Sequence, residues 1–273
     1  MSFVWPFLQS FGGVALPLFL AATVCMTLEW LRPANACSLG SRLRGFRFWL
    51  FATTLSVTLL VAVTSIVVPL ALRPLALVRV DELMPSGSTV VQVIFGVTVP
   101  IVAAIIGDFF YYWMHRLQHR SQFLWRFHRV HHAPHELSAW NSNGHFTEAL
   151  LYIPFVALPN VLLLSIQYSY VPSVVAFLLV MHGVFIHSCT RFHLGPLRYV
   201  IIDNRYHRIH HSIDSSRHGA NFGNFTAIWD IVFGTAHFPR AKEWPDTGVA
   251  GLEEPRRLSE FLFSPFRRSP RGE

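Results

Sequence analysis

The chain has 273 residues, 52% of them hydrophobic and 14% charged, with a mean hydropathy of +0.39. That is long enough for one substantial domain and too apolar for an ordinary soluble one. A net charge of +7 invites a nucleic-acid reading, but the basic residues are spread over loops and the tail, with no basic helix or nucleic-acid motif; membrane orientation accounts for them better.

In chain order, charge-free segments at residues 1–28, 48–72 and 83–107 each supply the roughly 20 apolar residues that a bilayer-spanning helix needs. The first has no basic lead and a long apolar stretch, unlike a cleavable signal peptide. No Asp, Glu, Lys or Arg occurs between Glu148 and Arg191, a region interrupted at Pro159-Asn160 and at Tyr168 to Ser173. It reads as a helical hairpin with arms near 149–167 and 171–188, preferred as two spans over one re-entrant pair. The expected fold is therefore all-α: a single membrane-embedded domain over 1–273, polytopic, with four to five transmembrane or re-entrant helices and an Arg/Pro-containing tail over 241–273.

Loop charges set the expected orientation. Arg32, Arg42, Arg44 and Arg47 follow the first span against Glu29 alone, whereas the next loop has Arg73 and Arg79 beside Asp81 and Glu82. The positive-inside bias puts the first loop in the cytoplasm and the N-terminus outside. The third span then returns to the cytoplasm near His115, where Arg116, Arg120, Arg126 and Arg129 carry the same sign. The hairpin crosses or dips and comes back, bringing His187 and residues 191–273 to that face.

Cys25, Cys37 and Cys189 are few, distant and odd in number, so they define neither a disulfide framework nor a paired-cysteine zinc site. Histidine is the unusual residue, with fifteen copies. His115 and His119 have the i,i+4 spacing that stacks two imidazoles on one side of a helix continuing from the third span. His128-Arg129-Val130-His131-His132 combines i,i+3 and i,i+4 spacing, and His207-Arg208-Ile209-His210-His211 repeats the pattern, each with Arg after its first His. One such pair is more often an accident than a site. Three groups expected on one membrane face point to metal, because neutral imidazole binds zinc, copper, iron or nickel well. Eight nitrogens exceed one tetrahedral ion, so two metals sharing a histidine cage fit the count.

These residues resemble the fatty acid hydroxylase superfamily, which includes sterol desaturases and C-4 methylsterol oxidases. The likeness covers roughly residues 95–240. Besides the three boxes, Asn143-Gly144-His145 through Glu148 is similar to the family's histidine–glutamate segment, and Phe185-Ile186-His187 to its single histidine after the last apolar helix. Gly195-Pro196-Leu197-Arg198-Tyr199, Asn221-Phe222-Gly223 and Trp229-Asp230 through Phe233-Gly234-Thr235 resemble its C-terminal pattern. One departure is Cys189, where the family often has Asn. The resemblance implies a non-haem di-iron enzyme that hydroxylates or desaturates a lipid C–H bond with dioxygen and electrons from a separate reductase; zinc is a possible occupant in purified protein. The implied ligands are His115, His119, His128, His131, His132, His187, His207, His210 and His211, with His145 as a further candidate.

His182 lies off the His187 helical face and is ranked below it. His135, His193, His218 and His237 have no box partner and read as surface or loop histidines. Asp108, seven residues before His115, reads equally as an acceptor for a ligand imidazole or as an ordinary polar residue at a span's end. Asp230 is read as capping a turn beside Trp229 or holding the His207 box. Tyr111, Tyr112 and Trp113 suggest an interfacial aromatic belt, and the Asn224-Phe225-Thr226 sequon should be silent on a cytoplasmic segment. Two rival classes are a histidine-rich metal transporter, whose ligands would sit within spans near the midplane, and a zinc-dependent membrane hydrolase, for which HExxH is missing.

Overall fold

The computed structural model describes residues 4–67, 77–80, 88–165, 173–217 and 219–267. Arg73, Asp81, Glu82, His218 and most of the 168–173 interruption therefore lie outside the described residues. The chain is mostly helical, in the order α1 (Val4–Leu31), α2 (Leu39–Val67), β1 (Val78–Arg79), α3 (Thr89–Arg120), α4 (Gln122–His132), α5 (Glu148–Tyr152), a π turn (Ile153–Ala157), α6 (Leu158–Leu163), β2 (Leu164–Ser165), α7 (Ser173–Phe185), α8 (Asn204–His210), α9 (Ile228–Val232) and α10 (Leu258–Phe263). The two short strands pair in parallel, Val78 with Leu164 and Arg79 with Ser165.

Phe11–Leu31 and α3 are long and apolar enough to cross a membrane, with mean hydropathies of 2.0 and 2.4. Their surfaces support that reading: Val90, Val91, Val93, Ile94, Ile101 and Val102 of α3 are exposed, a continuous apolar face that water would penalise and hydrocarbon would not. α7 has 13 residues, a reach of about 20 Å against the roughly 30 Å hydrocarbon core. The opposite arm is broken. Pro154 and Pro159 remove backbone donors, the helix widens into its π turn, and Asn160 Nδ2 donates to Val156 O (2.8 Å), a carbonyl of that turn.

α1 packs against α2 and α7. Glu29 and Arg42 form a buried ion pair between α1 and α2, and Glu29 Oε1 also accepts from the backbone of Ala139 (2.8 Å) and Cys189 (2.9 Å). Burying two charges is costly unless every lone pair finds a donor; here the second carboxylate oxygen joins the loop after α4 to the segment after α7. Aromatic packing of Trp49 and Trp140 with Ala22 closes the same region.

α3 runs unbroken past His115 and His119, then stops at Ser121, whose extended backbone ends one helix while its Oγ accepts from Leu124 N (3.4 Å) to start α4. That turn folds α4 back beside α3. α8 is capped by Asp203, whose Oδ1 accepts from Tyr206 N (3.0 Å). The arginine shared by both boxes faces away from the imidazoles: Arg129 Nη2 donates to the carbonyls of Ser264 and Arg267 (3.1 and 3.0 Å), and Arg208 Nε donates to Pro245 O (2.8 Å) while stacking over Trp244. The C-terminal segment is thus strapped across the outer faces of α4 and α8.

Candidate metal centre

The end of α3, α4, the exit of α7 and α8 bring nine histidines into two adjacent groups. His115, His119, His128, His132 and His210 form one; His131, His187, His207 and His211 form the other, and within each group the available ligand atoms all lie within 4.8 Å of one another. Each HxxHH box is divided. In α4 the i,i+4 pair His128/His132 joins the first group and His131 the second; on α8 and the residue that caps its end, the pair His207/His211 joins the second and His210 the first. The two boxes exchange their middle histidines.

Backbone carbonyls fix the tautomers. His115 Nδ1 donates to Phe222 O (2.7 Å), His210 Nδ1 to Ala220 O (2.8 Å) and His187 Nδ1 to Gly183 O (2.9 Å). A carbonyl only accepts, so each ring turns an Nε2 lone pair inward. His128 Nδ1 lies 3.3 Å from Glu148 Oε1, a carboxylate that orients it the same way. His115 Nε2 then faces His128 Nε2 at 2.9 Å, and His187 Nε2 faces His131 Nε2 and His207 Nε2 at 3.2 and 3.0 Å. His210 Nε2 is buried without a partner among the described residues. Converging lone pairs repel one another until a cation stands between them, so these donors fit metal ions, and an all-imidazole set suits iron, zinc, copper or nickel. Burial, reinforced by neighbouring imidazoles, pushes His128 and His187 down to about 3 and His131 to about 4, while His132, His207, His210 and His211 fall well below the ordinary value. The rings stay neutral, as ligation requires.

His145 does not join either group. Its Nδ1 contacts Thr147 Oγ1 (2.7 Å) and its Nε2 the Leu262 carbonyl (3.3 Å); both nitrogens are engaged in holding the loop against the C-terminal segment. His182 is likewise apart, with Nε2 on Ile202 O (2.9 Å), and His135, His193 and His237 lie outside both groups. Asp108 hydrogen-bonds to no imidazole among the described residues, so of its two readings the acceptor for a ligand imidazole is the one not seen. Its Oδ1 accepts from Asn224 N and Phe225 N (2.7 and 3.0 Å) and its Oδ2 from Thr226 N (2.9 Å). Asp230 accepts from Phe222 N and Gly223 N (2.8 and 2.9 Å) and from Thr235 Oγ1. The two carboxylates clamp the loop whose Phe222 carbonyl orients His115, so their action is one step removed. Tyr112 also departs from the expected belt: it is fully buried, with its hydroxyl on Thr235 and accepting from Arg116, while Trp113 is exposed.

The orienting groups that sequence reasoning missed are mostly main-chain. The carbonyls of Phe222, Ala220 and Gly183 carry no sequence signal. Glu148 had one, as the last residue of the quoted histidine–glutamate segment, but its contact with His128 depends on how residues 133–147 fold back.

Residues 100–235 match the family described as fatty acid hydroxylase. The chain belongs to the fatty acid hydroxylase family. Within it, this chain is 32% identical to the ornithine lipid hydroxylase OlsE of Rhizobium tropici, over 63% of its own length and 52% of that protein's. It is 27% identical to alkylglycerol monooxygenase of Homo sapiens, over 49% and 29% of the respective lengths, and 26% identical to a very-long-chain aldehyde decarbonylase of Oryza sativa subsp. indica, over 47% and 21%. The chain thus spans about half of the first relative and less of the others. No solved structure matches it significantly. All nine clustered histidines fall inside the fatty acid hydroxylase match.

Proposed function

We propose that this chain is an integral membrane oxygenase that hydroxylates a C–H bond of a lipid, using dioxygen and two electrons from a separate reductase, at two histidine-held iron ions. The observation that carries the reading is the pair of adjacent, buried, all-imidazole groups at the end of an apolar helix. His115, His119, His128, His132 and His210 would hold one ion, and His131, His187, His207 and His211 the other. Bound iron supplies dioxygen activation and the oxidising strength that an unactivated C–H bond demands. The chain supplies the rest. Carbonyls of Phe222, Ala220 and Gly183 aim the Nε2 lone pairs, Glu148 holds the His128 Nδ1 proton, and burial excludes water and keeps the rings neutral.

The substrate class follows from position and kinship. α3 delivers His115 and His119 from an apolar, outward-facing helix, so a lipid tail can approach along it, and two relatives carry lipid hydroxylase and monooxygenase names. Those names favour hydroxylation over desaturation. In the proposed arrangement α1, α2 and α3 cross the bilayer, the segments 148–165 and 173–185 dip into it without spanning it, and the boxes face the cytoplasm. A metal transporter is disfavoured because seven of the nine histidines stand on α4, on α8 and the residue that caps its end, and at the α7 exit, beyond the proposed spanning helices.

The test joins three measurements on detergent-purified protein with a reductase. Elemental analysis should give about two irons per chain, because nine clustered imidazoles exceed what one ion uses; reduced protein should consume dioxygen; and mass spectrometry should find a lipid heavier by one oxygen. Zinc with no dioxygen uptake would favour the hydrolase reading, and a lipid lighter by two hydrogens would establish desaturation instead.

A further inference from the structure

Outside the metal centre, two distant cysteines are brought together. The connector after α1 pairs with the segment that leaves His187: Ala34 N donates to Cys189 O (2.8 Å), Arg191 N donates to Arg32 O (2.7 Å), and Pro33 and Thr190 form an antiparallel bridge. This pairing sets Cys37 Sγ 2.9 Å from Cys189 Sγ, both as free thiols. Sulfur atoms at that separation are already inside van der Waals contact, and a disulfide of about 2.05 Å needs them to close by under about 1 Å. The surroundings hold the pair in place. Glu29 accepts from Cys189 N, and Arg42 Nη2 lies 3.8 Å from Cys189 Sγ. Cys189 is fully buried and Cys37 half-buried, so a small oxidant meets Cys37 first.

We propose that Cys37 and Cys189 are a reversible redox pair, oxidised by hydrogen peroxide to a disulfide that ties the α1–α2 connector to the segment leaving the metal centre. In the first step the Cys37 sulfur attacks a peroxide oxygen; the O–O bond breaks, a sulfenic acid forms, and the released hydroxide takes the thiol proton to become water. In the second step the Cys189 sulfur attacks the Cys37 sulfur. The S–S bond forms, the S–O bond breaks, and the oxygen leaves as water with the Cys189 proton. Two thiols give up two hydrogens and one peroxide becomes two waters; a dithiol reductant reverses the change. The cross-link closes a loop containing α2 to α7, between two segments already paired through their backbones.

The experiment uses the full chain in detergent, both as purified and after metal stripping. Protein is treated with hydrogen peroxide, alkylated under denaturing conditions, digested and mapped by mass spectrometry. The expected product is a linked Cys37–Cys189 peptide that dithiothreitol removes, with Cys25 alkylated. It should form with and without metal, because neither sulfur belongs to the histidine groups; failure of the iron reading would therefore leave this result standing. In Cys37→Ser, Cys189 should remain alkylatable at the same peroxide dose. Oxidation of Cys37 to sulfinic acid with Cys189 still free, or linkage through Cys25, would overturn the proposal. Should the variant fail to fold, the wild-type map decides by itself.

Discussion

His131 and His210 occupy equivalent places in their boxes, each the i+3 member, yet each serves the group that its own box neighbours do not. Replacing either should therefore injure a different ion. For His131→Ala and His210→Ala we expect product formation to be abolished and iron to fall from about two per chain toward one, since a lost ligand alters geometry and charge at both coupled sites. Product analysis in membranes with elemental analysis of purified protein checks both halves; full turnover by either variant would remove the boxes from catalysis. His193→Ala and His237→Ala, outside both groups, should retain most activity. Asp108 bears on the same chemistry from further away. Its three backbone donors cannot all be satisfied by the single acceptor oxygen of Asn, so Asp108→Asn should cost about 1–3 kcal/mol and lower the melting temperature in detergent. An unchanged melting temperature would show that Asp108 does not anchor the 222–226 loop.

At the scale of elements, α8 has seven residues, far fewer than the roughly 12–15 that an isolated helix needs to be stable in water. It persists because Asp203 caps its start and Arg208 ties its outer face to Pro245 and Trp244. Arg208→Ala removes a charge-assisted hydrogen bond and a cation–π contact, with an expected loss of about 1–3 kcal/mol. The segment after residue 240 should then be cut faster in limited proteolysis, and the melting temperature should drop. Cleavage at the wild-type rate would mean that the strap is held by Arg129 and by the stacking of Phe261 on Phe48 (ring centroids 4.8 Å apart) without Arg208. α4 differs in that Ser121 links it directly to α3, so its three histidines are positioned by a turn of one residue rather than by a long connection.

For the whole molecule, the buried imidazoles link stability to pH. His128, His131 and His187 are held at about 3, 4 and 3 in the fold against an ordinary 6.5. Below 6.5 the unfolded chain binds more protons than the folded one, so the stability from keeping these rings neutral is complete above that value and lost as pH falls toward the folded values. Metal-stripped protein should melt at a nearly constant temperature from about pH 7 to 8 and at progressively lower temperatures from about pH 6.5 to 4. Calorimetry or intrinsic fluorescence in detergent reads this directly, and a flat profile down to about pH 4 would show that the histidines titrate freely.

The sequence by itself determined the apolar, mostly helical class of molecule and singled out the histidines that cluster. Apolar run lengths announce α1 and α3, and nine of the ten histidines singled out from spacing and resemblance converge in space. Such features are legible because they depend on local geometry: helix rise sets the run length, and i,i+4 repetition sets a shared face. Tertiary structure alone decided how the histidines divide. On a helix, positions i, i+3 and i+4 fan out over roughly 100°, so an HxxHH box can serve one centre or two, and only the placement of α4 against α3 and α8 sends the middle histidine across to the other group. The exclusion of His145, the turning of Asp108 toward the 222–226 loop and the meeting of Cys37 with Cys189 have the same origin. Each depends on which backbone groups another segment presents, and main-chain carbonyls and amides, identical at nearly every residue, leave no mark in a sequence until the chain has folded.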